Sequence, residues 1–202
     1  MRTSSLSAST LATDDLSDLL TAQGLPGYTE VVRKGDFWSV STATAFAGIV
    51  ALPSTLAQLE IKNGNATESM IVDSIWSWQL VGTAVVWAHT PWAQVGAAVV
   101  SAVTGLVVYD GKGGSYTSTA AQDCITAINQ TVVANGWSVF PGSTMNFGLA
   151  AATPGGANVG HVNGRLIVPP GKSLHVAVTS SVNTASAFHC GASGCFAAIT
   201  NE

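Results

Sequence analysis

The chain has 202 residues, of which 9% are charged and 47% hydrophobic, with a formal net charge of −4. That length suits a single domain, or a domain with an arm, able to bury a real core, and high hydrophobicity with little charge is the reverse of a disordered composition. Seven basic residues, scattered along the sequence rather than gathered in a stripe, argue against a nucleic-acid partner.

The opening stretch MRTSSLSASTLATDD is small and polar and holds no apolar run of the length a secretory signal needs. With three cysteines, an odd number, this predicts a protein made in a cytoplasm rather than a disulfide scaffold. TDDLSDLLTAQG reads as one short helix: Thr13 or Asp14 caps it, Gly24 closes it, and Leu16, Leu19 and Leu20 share one face. So short a helix is marginal alone and needs a surface to pack on. It either folds onto its own domain or docks, as an arm, on a neighbouring subunit. Residues 1–27 are therefore set apart from a domain spanning 28–202.

From Tyr28 onward the pattern is strand, turn, strand. FWSVSTA alternates, AGIVAL is a short apolar run, and LAQLEIK alternates before Asn63-Gly64, which reads as a hairpin turn. SMIVDSIWSWQL, TAVVWAH and QVGAAVVSAVTGLVVY follow as strands, with DGKGG as an exposed loop. AAQDCITAINQTVVANG is ambiguous: its first half suits a helical turn and QTVVANG a strand. WSVF, MNFGLA, GRLIVPP, KSLHVAVTS, ASAFHC and CFAAIT complete the series. About a dozen short strands at spacings of roughly 8 to 12 residues predict an all-β fold, a sandwich or barrel. Pro170-Gly171 favours the sandwich, because proline then glycine sets a type II turn, which splays the strands it joins.

No Asp, Glu, Lys or Arg occurs from Ser74 to Tyr109. AHTPWAQ interrupts this apolar run, neither end carries a basic cluster, and Val, Thr and Trp favour strands, so a membrane span is not expected. Strict alternation puts Val72, Ser74, Trp76, Trp78 and Leu80 on one strand face, and Val85, Trp87 and His89 on one face of the next. Buried between sheets, Trp76, Trp78 and Trp87 would anchor the core, which is the expected outcome for Trp76 and Trp78. Laid on an open face, such a row would be a stacking platform for sugar rings. Trp92 follows a proline and belongs at a loop or rim. Trp87 and Trp92 are the candidate glycan-binding residues.

The chain lacks G-x-S-x-G and Walker spacings, and nothing marks two carboxylates as partners, so no enzyme activity is expected. In HCGASGC, His189, Cys190 and Cys195, joined by His175, offer zinc-ligand chemistry, but the short C-x₂₋₄-C knuckle is missing. A GASG hairpin loop between opposed cysteines is the simpler reading, with no metal or other cofactor. His161 is expected in a loop and His89 at a strand end.

GRLIVPPGKSLHVAVTSS, with VVANGWSVFPGS and ALPSTLAQLEIKNG, resembles small β-sandwich virion proteins of tailed bacteriophages, namely capsid decoration or cement proteins and head-fibre proteins. The likeness covers most of residues 28–202 and is one of turn wording. It implies an antiparallel, jelly-roll-like β-sandwich, often trimeric, that decorates or cements a capsid after synthesis in the host cytoplasm. Its expected partners are copies of itself and the major capsid protein or other virion subunits, with Leu16, Leu19 and Leu20 as the docking residues. The nearly chargeless, Ser/Thr/Ala-rich composition independently favours an oligomer. The alternative is a glycan- or receptor-binding module, of a phage fibre or a bacterial lectin, using surface tryptophans; a sandwich hydrolase is a third class.

Overall fold

A computed structural model describes residues 29–82, 89–100, 106–111, 123–140, 143–144, 156–181 and 186–199. After one short helix, α1 (Thr29–Lys34), every described element is a strand. They are β1 (Phe37–Ser41), β2 (Leu56–Asn63), β3 (Ser69–Gly82), β4 (His89–Ala97), β5 (Val108–Tyr109) and β6 (Cys124–Thr131), then β7 (Ser138–Val139), β8 (Ser143–Thr144), β9 (Ala157–Val168), β10 (Lys172–Ser180) and β11 (Ser186–Ala197). The arm proposed for residues 1–27, with Leu16, Leu19 and Leu20, lies outside the described residues, as does Trp87.

The strands form two antiparallel sheets, ordered β5-β1-β11-β3-β9-β8 and β6-β2-β10-β4-β7. Pairing is nested: β1 with β11, β2 with β10, β3 with β9, and β4 with β7. Consecutive members of each arm alternate between sheets. A long hairpin rolled up in this way is a jelly roll, with β5, β6 and β8 added at the edges. The antiparallel sandwich expected from strand spacing is therefore the observed fold.

Alternation explains which residues meet between the sheets. Trp38 and Val40 of β1, Met70, Val72 and Ile75 of β3, and Phe188, Cys190 and Ala192 of β11 point inward from one sheet. Leu59 and Ile61 of β2 and Leu174, Val176 and Val178 of β10 meet them from the other. Burying a side chain of this size stabilises by roughly 1.5–3 kcal/mol.

The turn at Pro170-Gly171 has the expected form: Gly171 sits at φ 73° and the Lys172 N–H donates to the Pro169 carbonyl. It joins β9 to β10, which lie in different sheets, as a splaying turn should. Asn63-Gly64 does not make a hairpin, since β2 and β3 also lie in different sheets. The buried Asn63 amide instead donates to the Glu68 and Val168 carbonyls and braces a sheet-crossing arch. Likewise QTVVANG is a strand only at Gln130 and Thr131: β6 spans Cys124–Thr131 and lies mostly in the half read as a helical turn. His89 begins β4 as expected, whereas His161 lies within β9.

One irregularity changes the meaning of the tryptophan row. On β11, Gly194 pairs with Val72 and Ser193 pairs with Ser74, so Asp73 is an extra residue on β3. A one-residue bulge moves every later side chain to the opposite face. Val72 faces the core, but Ile75, Ser77 and Gln79 take over the interior beyond the bulge. Trp76, Trp78 and Leu80 are carried outward. Trp76 is half-buried and Trp78 is 50% exposed. The expectation that both are core residues is corrected by this bulge.

Candidate functional site

The outward tryptophans belong to a shallow groove of about 340 Å³ on the β1-β11-β3 face, lined by Ser41, Trp76, Trp78, Leu80 and His189. Sheet register assembles it. Trp76 pairs with Gly191 and Trp78 with His189 across the β3–β11 ladder, while Ser41 pairs with Gly191 from β1. Glycine is required at 191, because a β-carbon there would overlap the Trp76 indole. Trp76 thus lies across β11 toward β1 and forms the floor, and Trp78 stands beside it.

Polar groups flank this aromatic floor. His189 Nδ1 lies 2.7 Å from the Thr42 carbonyl oxygen, which can only accept, so Nδ1 carries the proton and Nε2 is left as an acceptor. Among the described residues, His189 Nε2, the Ser41 hydroxyl and the two indole N–H groups have no hydrogen-bond partner. Among the described residues that line it, the groove has no carboxylate, ammonium or guanidinium. Chemically it offers flat apolar faces, hydrogen-bonding atoms and no formal charge.

A second polar group of residues lies on the outer face of the other sheet. Glu60, His175 and Gln94 stand side by side on β2, β10 and β4. The segments following β4 and β6 cover them, and all three are buried. Glu60 accepts the Val99 N–H at 2.8 Å and the Ser173 hydroxyl at 2.7 Å, while His175 Nε2 lies 3.6 Å away. Burial alone would raise the Glu60 pKa, but His175, Val99, Ser173 and Val100 together hold it below the ordinary carboxylate value. Gln94 donates to the Val133 carbonyl and accepts the Asn135 N–H. This network pins the covering segments to the sheet and is closed to solvent.

His89 is a further buried polar residue. Its Nε2–H donates to the Gly156 carbonyl, Nδ1 accepts the Ser77 hydroxyl, and the ring packs on Phe188. Burial lowers its pKa, against the opposing pull of the Gly156 carbonyl.

The sequence motif HCGASGC has a different structure from its hairpin reading. β11 runs unbroken through it, so Cys190 and Cys195 lie about 16 Å apart along one strand, too far to form a disulfide with each other. Cys190 points into the core while His189 faces the groove. Burial pushes the Cys124 and Cys190 thiols far up and also raises Cys195, next to Asp73 and Asp36. Among the described residues no three His, Cys, Asp or Glu side chains are gathered to hold a metal.

Trp92, a candidate glycan residue, is half-buried on β4, and its indole N–H is taken by Thr179 Oγ1 at 2.9 Å. It stands in the sheet opposite the Trp76–Trp78 groove. From the sequence, Trp76 and Trp78 are expected in the core rather than on an open face, His189 is weighed only as a zinc ligand, and Ser41 is not singled out. The available signal was Gly191 inside an otherwise strand-like run, since glycine there marks close approach by another group.

Comparison with known proteins finds no matching family model, no matching curated protein and no matching solved structure. Among the described residues no helix is long and apolar enough to cross a membrane.

Proposed function

We propose that this chain is a non-enzymatic structural subunit of a bacteriophage virion, decorating or cementing the capsid or forming a head fibre. It would act as a homotrimer through contacts with its own copies and with the major capsid protein or other virion subunits. The observation that carries this reading is a jelly roll with an apolar rim and almost no charge. Leu52 and Val133 are 74% and 76% exposed, and Val50, Leu56 and Val139 are exposed nearby in sequence. The Val132 N–H donates to the Thr55 carbonyl and Trp137 Nε1–H to the Ser54 carbonyl, so the two segments that carry these side chains adjoin. Apolar surface of this kind commonly serves association, and jelly rolls are a recurrent architecture of viral capsid proteins.

The test is sedimentation velocity at micromolar concentration, followed by cosedimentation with heads assembled from the capsid protein of the same genome. The expected results are a trimer in solution and saturable attachment to heads. Deletion of residues 1–27, which removes Leu16, Leu19 and Leu20, should abolish attachment and leave the melting temperature nearly unchanged. A protein that stays monomeric and does not attach to heads would overturn the proposal.

A further inference from the structure

We propose that the Trp76–Trp78–His189–Ser41 groove is a binding site for an uncharged pyranose, such as a neutral hexose of a surface glycan. The inference concerns a site separate from the apolar rim and stands whether or not the chain assembles on a capsid. It rests on the match between two opposed features of the groove. Its floor is aromatic, with Trp76 laid across Gly191 and Trp78 half exposed beside it. Its walls carry polar atoms without partners among the described residues: His189 Nε2, the Ser41 hydroxyl and the indole N–H groups.

A pyranose has the same two-sided character. One face presents axial C–H groups that pack on an indole, and the ring edge presents hydroxyls that both donate and accept. His189 Nε2 accepts from such a hydroxyl because its other nitrogen is committed to Thr42. Ser41 can donate or accept, and the indoles donate. A purely apolar occupant, such as the rim of a second copy, would bury these polar atoms without replacing their water, a full desolvation penalty. The absence of formal charge among the described lining residues disfavours an acidic sugar, a phosphate or a sulfate. A volume near 340 Å³ lies at the small end of ligand pockets, which suits one or two rings rather than a long chain.

The experiment uses the full chain and follows intrinsic tryptophan fluorescence during titration with gluco-, manno-, galacto- and xylo-oligosaccharides, with sialylated and sulfated oligosaccharides alongside. Trp78→Ala is the principal variant, because that residue is 50% exposed and outside the core, so its loss should leave the fold intact, with the melting temperature recorded alongside. Ser41→Ala is the second, touching only a wall hydroxyl. The expected result is saturable binding of at least one neutral oligosaccharide, weakened at least tenfold by Trp78→Ala and several-fold by Ser41→Ala. The proposal is overturned if no neutral oligosaccharide binds, if only charged ones do, or if Trp78→Ala binds as tightly as the unaltered chain. It is equally overturned if Trp78→Ala dissociates an oligomer that binds no sugar, since the groove would then be a subunit interface.

Discussion

Glu60 shows how one buried charge organises a region with no regular structure. Its carboxylate collects backbone N–H groups from Val99 and Val100 and a hydroxyl from Ser173, with His175 beside it. In Glu60→Gln one oxygen becomes an NH₂ that faces donors, so at least one contact turns repulsive or is lost. Hydrogen bonds to a charged group contribute roughly 1.5–3 kcal/mol each, and the expected loss of stability is about 3 kcal/mol by urea denaturation. The pH dependence follows from the directions of the two shifted groups. His89 is lowered from its ordinary 6.5, so the unfolded chain binds protons more readily, and stability falls as pH drops below about 6.5 toward the folded value. Glu60 is lowered from 4.5, so its contribution is complete above that value and is lost as pH falls through the folded pKa. The melting temperature should therefore decline in two stages on acidification. Glu60→Gln should abolish only the stage below about pH 4.5.

At the scale of the element, β3 decides where the aromatic residues go. Had its alternation run unbroken from Val72, Trp76 and Trp78 would sit in the core, and the extra residue Asp73 sends them outward instead. Period-2 patterning made the strands of this chain legible, and Pro170-Gly171 marked a sheet crossing, because both are local properties of the backbone. The bulge was not legible: SMIVDSIWSWQL carries no glycine or proline at Asp73, and the inserted residue is defined by its partners on the neighbouring strands β11 and β9. Asn63-Gly64 was misread for a related reason, since Asn63 uses its side chain to hold two distant carbonyls rather than to turn the chain. The candidate site was half legible, as tryptophans in a row but on the wrong face. Gly191 tests the packing of this element directly. Gly191→Ala places a methyl group where the Trp76 indole lies, and overpacking of this kind costs about 1–3 kcal/mol. The denaturation midpoint should fall, and tryptophan emission should shift to the red as Trp76 is displaced into water. An unchanged midpoint and spectrum would mean that Trp76 does not rest on β11.

The whole molecule has two faces suited to different work. The outer surface of the β1-β11-β3 face carries the neutral aromatic groove, and the apolar rim lies where the β1–β2 connection meets the segment after β6. With only 9% charged residues there is little repulsion to keep two such rims apart. Leu52 and Val133 are the most exposed of the large apolar side chains there, at 74% and 76%, so they contribute little to the folded monomer. Replacing both by serine should alter monomer stability by less than about 0.5 kcal/mol, the usual range for surface positions. If the rim is an interface, the same change removes two apolar side chains from it. At roughly 1.5 kcal/mol for each large apolar group buried, association should weaken by about two orders of magnitude. Sedimentation velocity across a concentration series of Leu52→Ser/Val133→Ser should then show monomer where the unaltered chain is assembled, with saccharide binding at the Trp78 groove retained. If the variant melts well below the unaltered chain, the two side chains serve the monomer's own packing. If it assembles at the same concentration, subunits meet elsewhere and the rim is not their contact.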